Sequence, residues 1–408
     1  MHWEAYSHKK IKEKVNDALS RNMDFRKRDV LGLPASFLDP EEFYDDAPFL
    51  DDAPYMKAMN ANPNHIGCHT VGQAETAFIG TQEIEKEAIA LCAEEILGGE
   101  KDQQDGYVAA GGTEANIMAL WIYRNYFLEE KKASREEIAV VFSEDSHYSM
   151  PKGCNLLSLR SIQVKVHNDT RLLDMADYKH QLDTAQAAGV KHFIVIMNMS
   201  TTMFGSIDPI DEVTDLLISN NISFKLHVDG AFGGFIYPFS SSDACYTFKN
   251  QHITSVTMDA HKMLQAPYGT GIFLIRKGHM HYVMTKEARY VHGHDYTLSG
   301  SRSGANAIAI WMILRIHGSD GWHQKVKKLI ARTDRLCDSL DDLKIPYYRH
   351  PHMNIITIRG NAISKSVAEK FVLVPDTHDG TPNWWKIVVM DHVTQGKIDR
   401  FIGALGAH

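Results

Sequence analysis

The chain is poor in the features that mark disulfide-bonded or zinc-binding proteins. Its five cysteines, Cys68, Cys92, Cys154, Cys245 and Cys337, are scattered over 408 residues, and no two of them form a Cys-x-x-Cys pair. This spacing argues against a zinc module and against a disulfide framework. We therefore expect reduced thiols and a cytoplasmic protein.

The sequence also lacks long apolar runs and an excess of positive charge. No stretch approaches the roughly 20 apolar residues that a membrane-spanning helix needs, and the beginning, MHWEAYSHKK, has no apolar signal-peptide segment. The formal net charge of −8 provides no basic field for nucleic acid or anionic lipid. We expect no secretion, no membrane span and no nucleic-acid partner.

What the chain does contain is enough apolar residues, 44% of the total, for a large buried core. From Gly106 onward, short β-branched runs alternate with helical stretches, a pattern that predicts an α/β fold with a mostly parallel sheet flanked by helices. The pattern predicts an N-terminal helix and a proline-punctuated arm over residues 1–60, a large domain over 61–303 and a small C-terminal α+β domain over 304–408. The arm must lie on this chain or on a second copy.

Four polar segments follow successive predicted strands, the position at which open α/β sheets bind ligands. The first is Gly-Gly-Thr-Glu-Ala-Asn at residues 111–116. Its glycines let the backbone approach an anion, and the helix that follows offers free N–H groups to a phosphate. Thr113 is predicted to cap that helix. A capped helix without any ligand is the alternative interpretation.

The other three segments carry a histidine, an aspartate and a lysine. His147, in Ser-His-Tyr-Ser, could stack on a planar ring or be a structural histidine. Asp229 ends a strand, where a carboxylate is costly to bury unless it meets a cation such as a pyridinium nitrogen; it could also cap a glycine-rich turn. Lys262, in Asp-Ala-His-Lys, could be a surface residue or the amine of a Schiff base.

The order of these segments is more specific than any one of them. A phosphate-binding turn, a histidine for ring stacking, a carboxylate for a ring nitrogen and a lysine for a Schiff base each follow a separate strand. Pyridoxal 5′-phosphate is the cofactor that needs all four. The sequence therefore predicts a site for this cofactor.

In the order of its motifs, the chain from about residue 80 to about residue 320 resembles the group II pyridoxal-phosphate-dependent decarboxylases of fold type I. The resemblance rests on GGTEAN at 111–116, SEDSHYS at 143–149, HVDGAFGG at 227–234, DAHKM at 259–263 and TLSGSRSG at 297–304. It implies a fold like that of aspartate aminotransferase and decarboxylation of an L-amino acid to an amine and carbon dioxide. It also implies a homodimer with composite active sites.

The resemblance assigns roles to individual residues. Lys262 is implied as the Schiff-base lysine, Asp229 as the partner of the pyridine nitrogen and His147 as the residue stacked on the ring. The other implied cofactor positions are Gly112, Thr113 and His261 on the phosphate side, Ser149 and Thr202 beside the cofactor, and Ser301, which is expected to reach the phosphate of the partner subunit.

The segment 290–304 is especially similar to bacterial pyridoxal-dependent histidine decarboxylases and to their plant serine-decarboxylating relatives. In the family, a mobile loop before the serine carries a tyrosine that protonates the α-carbon of the product. Tyr290 matches that residue, and Tyr296 is the alternative. Both tyrosines could instead pack at a dimer interface.

Residues 62–80 depart from the histidine-decarboxylase pattern and lie where the family builds its substrate pocket. His65, Cys68, His69 and Thr70 are therefore predicted to line that pocket. A Cys-x-His metal site is disfavoured because no second ligand pair lies at a suitable spacing. We predict no metal.

Other functions remain open for the same constellation. The cofactor could serve an aldol-type lyase or an aldehyde-forming oxidative decarboxylase. The chain could also be a pyridoxal-binding regulator or an inactive dimer partner. A regulator is expected to carry a DNA-binding domain, which the first 60 or so residues do not indicate. An inactive partner is expected to have lost Lys262 or Asp229, and both are present.

Overall fold

The computed structural model describes residues 1–24, 38–39, 43, 47–72, 76–285 and 294–406. Its α-helices are α1 His8–Arg21, α2 Pro54–Ala61, α3 Ile79–Ala90, α4 Gly112–Glu130, α5 Ser149–Leu157, α6 Met175–Ala187, α7 Ile210–Ser219, α8 Tyr237–Ser240, α9 Gly304–Asp342, α10 Lys365–Lys370 and α11 Gln395–Leu405. Helix α3 continues into a π-helical segment, Leu91–Ile96. No described helix is both long and apolar enough to cross a membrane.

The strands form three sheets. They are β1 Asn64–His65, β2 Gln104–Ala109, β3 Ile138–Ser143, β4 Arg160–Val164, β5 His192–Asn198, β6 Ser223–Gly230, β7 Ile253–Asp259, β8 Gly271–Arg276, β9 Arg302–Ser303, β10 Tyr347–Tyr348, β11 Ile355–Arg359, β12 Val374–Pro375 and β13 Trp384–Val388.

The central sheet has seven strands in the order β2-β8-β7-β6-β5-β3-β4. Strand β8 runs antiparallel to both of its neighbours, and the other neighbouring pairs are parallel. Every residue of β3 and β7 is buried, as expected for strands that helices cover on both faces. The predicted mostly parallel α/β sheet is confirmed.

A second, antiparallel sheet forms the small C-terminal unit, in the order β10-β11-β13-β12. Its apolar residues, including Ile356, Ile358 and Trp385, pack with Leu336 of α9 and Phe401 of α11 in a core cluster of their own. This arrangement confirms the predicted small α+β domain.

Helix α9 joins the two units. The sequence pattern predicts two separate helices here, but the structure has one long helical segment with a break at Gly318, where φ is 63° and ψ is 177°. Residues before the break, such as Trp311, belong to the large core, whereas Leu336 belongs to the small one. The domain boundary predicted between residues 303 and 304 falls at the start of this helix.

The N-terminal helix lies on its own chain. Ile11, Val15 and Ala18 of α1 are buried in the large core, where α1 packs against α3 and α9. The indole nitrogen of Trp3 donates a hydrogen bond to the carbonyl oxygen of Leu314 at 2.8 Å. These contacts place the helix that precedes the predicted arm on its own chain.

Candidate active site

Neighbouring strands of the central sheet bring the predicted site residues to one cleft. Asp229 ends β6, Lys262 follows β7 and His147 follows β3. The cleft is lined by His147, Asn198, Ser200, Thr201, Thr202, Asp229, Ala231, Phe232 and Lys262. Four residues that the sequence singled out, His147, Thr202, Asp229 and Lys262, thus line the same cleft.

Asp229 is a buried carboxylate that forms no ion pair with a cation in the described part of the chain. It is only 4% exposed, and its oxygens accept hydrogen bonds from the backbone nitrogen of Ala231 at 3.1 Å and from Nδ2 of Asn116 at 2.8 Å. No ion pair among the described residues includes it. A protonated pyridine nitrogen would supply the missing positive charge, so the residue fits the ring of pyridoxal phosphate.

Lys262 projects from the turn after β7. Its Nζ lies 3.3 Å from Oδ2 of Asp259, and its side chain is 30% exposed. Asp259 also accepts a hydrogen bond from the backbone nitrogen of Gly112 at 3.1 Å and lies 3.2 Å from Nδ1 of His261. Burial raises the pKa of Asp259, while Lys262 and His261 oppose that rise. Asp259 therefore joins the lysine turn to the start of α4.

The glycine turn at the start of α4 is tightly packed. A Cβ atom on Gly271 of β8 would lie within 2.4 Å of the Gly111 backbone, and one on Gly112 would lie 2.9 Å from Asp259 Oδ2. The prediction that Thr113 caps the helix is wrong. A helix capped by Thr113 would begin at Glu114, but α4 begins two residues earlier, at Gly112, with Gly111 as its N-cap. Thr113 therefore lies in the first turn, where backbone N–H groups have no carbonyl partner within the helix.

His147 is held from one side of its ring. Its Nδ1 lies 2.9 Å from Oγ of Ser149 and accepts a hydrogen bond from the Ser149 backbone nitrogen at 3.2 Å. Burial lowers the pKa of His147, which favours the neutral imidazole at neutral pH. Helix α5 begins at Ser149, two residues after His147.

The segment 200–202 also lines the cleft. The Thr201 hydroxyl is engaged by Oγ of Ser206 at 2.7 Å, whereas Thr202 is exposed. Ser200 has φ of 93°, and its buried Oγ has no hydrogen-bond partner. Lys386 of β13 donates a hydrogen bond to the carbonyl oxygen of Thr202 at 3.2 Å, so the small domain reaches the cleft.

The structure places His65 and His69 in the interior, not on an open pocket wall. His65 is fully buried, and its ring nitrogens lie 2.6 Å from Oε2 of Glu85 and 2.9 Å from Oγ1 of Thr81. Nε2 of His69 lies 3.1 Å from the same Glu85 oxygen. The physical reason is Glu85, a buried carboxylate that needs donors. The predicted pocket lining is corrected for these two histidines.

Arg302 completes this interior cluster. Its Nη1 lies 2.5 Å from Oε1 of Glu85. His65, His69 and Glu85 are close enough to hold a metal ion, but the guanidinium already neutralises the carboxylate. The donor set is thus that of a buried ion pair. Thr70 stands apart from the cluster and accepts a hydrogen bond from the backbone nitrogen of Gly106 at 3.0 Å.

Of the remaining predicted residues, Ser301 lies beside the β1–β9 pair. Ser301 is exposed, and its Oγ accepts a hydrogen bond from Nδ2 of Asn64 at 3.1 Å. Tyr296 is half-buried and packs against the core cluster that contains Tyr107. Tyr290 lies outside the described residues.

Two residues beside Asp229 received no role from the sequence. Asn116 links Asp229 to Ser149, and the buried His227 lies behind Asn116. Asn116 belongs to a motif that reads as an ordinary helix start. A polar side chain on the inward face of α4 was the one available signal.

Comparison with known proteins decides the family. The sequence model described as the pyridoxal-dependent decarboxylase conserved domain matches residues 80–347, more than half of the chain. The chain belongs to this family. The decarboxylase is 48% identical over 391 residues to tryptophan decarboxylase of Clostridium sporogenes, an alignment that covers 96% of this chain and 94% of the relative. It is 31% identical over 333 residues to a probable L-tyrosine/L-aspartate decarboxylase of Methanocella arvoryzae, which covers 80% and 84% of the two chains.

Solved structures share the fold of the decarboxylase. L-Methionine decarboxylase from Streptomyces sp. 590 superposes with a TM-score of 0.69 at 17% identity, covering 98% of this chain and 94% of that one. A sphingosine-1-phosphate lyase from Burkholderia pseudomallei superposes with a TM-score of 0.70 at 20% identity, covering 81% and 77%. The predicted fold type I is confirmed.

The predicted activity and cofactor are confirmed at the level of the family. The protein is a carboxy-lyase that uses pyridoxal 5′-phosphate to decarboxylate an amino acid. The uncompensated Asp229, the accessible Lys262 amine and the glycine turn at α4 fit this cofactor. The roles of single residues and the similarity of segment 290–304 to histidine decarboxylases remain predictions.

Proposed function

We propose that the decarboxylase acts on an aromatic L-amino acid, with L-tryptophan as the first candidate. The observation that carries the proposal is the 48% identity to tryptophan decarboxylase across 96% of the chain. A more distant relative is a probable L-tyrosine/L-aspartate decarboxylase, so an aromatic substrate is common to both names. The products would be the aromatic amine and carbon dioxide.

In this proposal Lys262 holds the cofactor through Nζ, Asp229 pairs with the ring nitrogen and His147 lies against the ring. Pyridoxal phosphate, when bound, supplies an electron sink for the electrons that remain on the α-carbon as carbon dioxide leaves. Asp229 would stabilise a proton on the ring nitrogen, because its carboxylate is buried and pairs with no cation among the residues that the structure describes. Thr202 forms a further part of the cofactor cleft.

The phosphate end is proposed to lie at the start of α4. Gly112 and Thr113 stand in its first turn, and His261 is held nearby by Asp259. Helix N-termini favour anions because their first N–H groups point outward and the helix dipole is positive there. Ser149 lies on the opposite side and orients His147.

The homodimer with composite sites remains part of the proposal. Ser301 is exposed on the β1–β9 pair, while the adjacent Arg302 is buried in the ion pair with Glu85. The buried ion pair of Arg302 fixes the position of the neighbouring Ser301, which suits a residue proposed to reach the phosphate of the partner subunit. His65 and His69 support the same segment from the interior, and Thr70 and the residues around it are the proposed substrate side.

A proton must reach the α-carbon after carbon dioxide leaves. We assign this step to Tyr290, with His147 as the alternative acid because it lines the cleft. Cytoplasmic location is also proposed, since all five cysteines are free.

The decisive experiment is a panel of amino acids incubated with the purified, cofactor-loaded protein. L-Tryptophan, L-tyrosine, L-histidine and L-aspartate are compared by the amine and the carbon dioxide released, with Lys262→Ala as the control. We expect tryptamine and carbon dioxide from L-tryptophan at the highest kcat/KM. Turnover of L-histidine alone would instead support the similarity of segment 290–304, and aldehyde with ammonia from every substrate would reject amine formation.

A further inference from the structure

One buried amide is hydrogen-bonded to Asp229 and is linked through Ser149 to His147, the two proposed protein partners of the cofactor ring. Asn116 of α4 is 1% exposed. Its Nδ2 donates to Oδ2 of Asp229 at 2.8 Å and to Oγ of Ser149 at 3.0 Å, and Ser149 in turn contacts His147. Asn116 is therefore the one described side chain that is hydrogen-bonded to Asp229 and, through Ser149, linked to His147.

The chemistry of the neighbours fixes which way the amide faces. An ionised carboxylate can only accept hydrogen bonds, so the amide nitrogen must face Asp229. The amide oxygen then faces Nε2 of His227 at 3.0 Å. Because an amide oxygen can only accept, His227 carries a hydrogen on Nε2. Burial lowers the pKa of His227 to about 4, so the neutral ring has this hydrogen and no second one.

The chain of donors continues behind His227. With Nε2 protonated, Nδ1 accepts from Oγ of Ser255 at 2.6 Å. Ser255 has then used its hydrogen, so its oxygen accepts from the Tyr123 hydroxyl. The Thr257 hydroxyl, 3.2 Å from Nε2 of His227, is a second acceptor for that hydrogen. In this arrangement Ser255 donates to His227, His227 donates to Asn116, and Asn116 donates to Asp229.

The second branch sets the proton of His147. Ser149 receives the other amide hydrogen of Asn116, so its own hydrogen is free for Nδ1 of His147 at 2.9 Å. The backbone nitrogen of Ser149 donates to the same Nδ1 at 3.2 Å. A ring nitrogen that accepts two hydrogen bonds carries no proton. The neutral His147 ring therefore has its hydrogen on Nε2.

We propose that Asn116 is a positioning residue that prepares both ring partners through one amide: it keeps Asp229 an ionised acceptor and places the His147 hydrogen on Nε2. The inference rests on the proposed roles of Asp229 and His147. With the cofactor bound, an ionised Asp229 favours a protonated ring nitrogen. His147 then keeps a single N–H, on Nε2, with which it can act as a donor.

The test is cofactor affinity measured as a function of pH. Asn116→Leu keeps the size of the side chain and removes both donors. We expect the Kd of the apoenzyme for pyridoxal phosphate to rise about ten- to a hundredfold. The measurement is made at pH 6 and at pH 8, and the loss of affinity is expected at both values, because leucine donates no hydrogen bond to Asp229. Of the hydrogen bonds that Asn116 makes, His227→Leu removes only the one to the amide oxygen, so its Kd for pyridoxal phosphate should rise less.

Asn125→Leu is the matched control. Asn125 lies on the same helix and donates to the carbonyl oxygen of Tyr282 at 2.7 Å, away from the cleft. It should leave the Kd and its pH dependence unchanged. If Asn116→Leu does not fold, Asn116→Ser, which retains one donor, is expected to give an intermediate Kd. A Kd within twofold of the wild type at both pH values in whichever Asn116 variant folds would overturn the inference.

Asp229→Asn separates this inference from the assignment it rests on. A wild-type Kd for pyridoxal phosphate in Asp229→Asn would reject the role of Asp229 itself. A raised Kd in Asp229→Asn together with a wild-type Kd in Asn116→Leu would reject only the role of Asn116. Nitrogen-15 NMR of histidine-labelled apoenzyme tests the other branch, with the His147 signal identified by its loss in His147→Gln. We expect the Nε2–H tautomer, and an Nδ1–H tautomer would contradict it.

Discussion

Two buried carboxylates of this protein have opposite surroundings. Glu85 meets the guanidinium of Arg302 at 2.5 Å and two histidines, His65 and His69. Asp229 meets one amide and one backbone nitrogen and no cation among the described residues. Burial alone raises the pKa of Glu85, but Arg302 and His69 bring it well below its usual value.

The difference separates a carboxylate that holds the fold from one that awaits a ligand. The charge of a buried carboxylate that pairs with a cation is already neutralised, and removal of the carboxylate leaves the buried cation unpaired. A buried acid without a cation is maintained at a cost in stability that a ligand can offset. By this criterion the Glu85 cluster is structural and the Asp229 cleft is functional.

The largest expected effect lies on the functional side. Lys262→Ala should lower the rate of decarboxylation by several orders of magnitude, because the amine that is proposed to hold the cofactor is removed. The melting temperature of the apoenzyme should change little, since the side chain is partly exposed. Absorbance of the bound cofactor above 380 nm or so, where free protein is transparent, provides the measurement. Full activity in this variant would reject the role of Lys262.

Asp229→Ala should lower kcat/KM on the order of 10²- to 10³-fold. Its apoenzyme should be as stable as the wild type or more so, because the substitution removes an uncompensated buried charge. Steady-state kinetics and thermal unfolding of the apoenzyme give the two values. An apoenzyme destabilised as strongly as Glu85→Ala would show that the two carboxylates do not differ.

Glu85→Ala should have the reverse profile. It leaves Arg302 buried and unpaired, which costs about 3–5 kcal/mol of unfolding free energy. The double variant Glu85→Leu with Arg302→Met should recover much of this loss, since both charges are then absent. Denaturant unfolding measures both. An unchanged free energy of unfolding in Glu85→Ala would contradict the structural role.

The smallest effect concerns pH. Burial lowers the pKa of His65 to about 4, below its ordinary value of 6.5. The unfolded state therefore binds a proton at His65 first, and the contribution of this group to stability is lost as pH falls from about 6.5 to about 4. Denaturant unfolding at pH 7 and pH 5 should show a smaller pH-dependent loss in His65→Gln than in the wild type. An equal loss in both proteins would count against a neutral buried His65.

The functional cleft was easier to predict from the sequence than the structural cluster. Asp229, His147 and Lys262 each follow a strand, and parallel strands bring such residues to one edge of the sheet. The partners Glu85 and Arg302 are 217 residues apart, and no periodicity indicates that they meet. For the same reason His65 and His69 were predicted as pocket residues although they face this ion pair.

Local signals failed where two tertiary roles look alike in sequence. Asn116 lies in the first turns of α4, where polar residues are common in any helix. Its partner Asp229 is 113 residues away in sequence, so only the folded structure shows that the two residues meet. Thr113 has the residue type of a cap, but the N-cap position is occupied by Gly111, two residues earlier. The mostly parallel sheet followed from alternation alone because that pattern repeats along the chain.

The most direct test of the difference between the two carboxylates asks where the cofactor attaches. The purified protein is treated with borohydride, which makes a Schiff-base linkage permanent, and its peptides are analysed by mass spectrometry. We predict a pyridoxyl group on the peptide that contains Lys262 in the wild type. The amount of this modified peptide should be much reduced in Asp229→Ala and unchanged in Glu85→Gln. A modification at another lysine, or one that does not depend on Asp229, would contradict it.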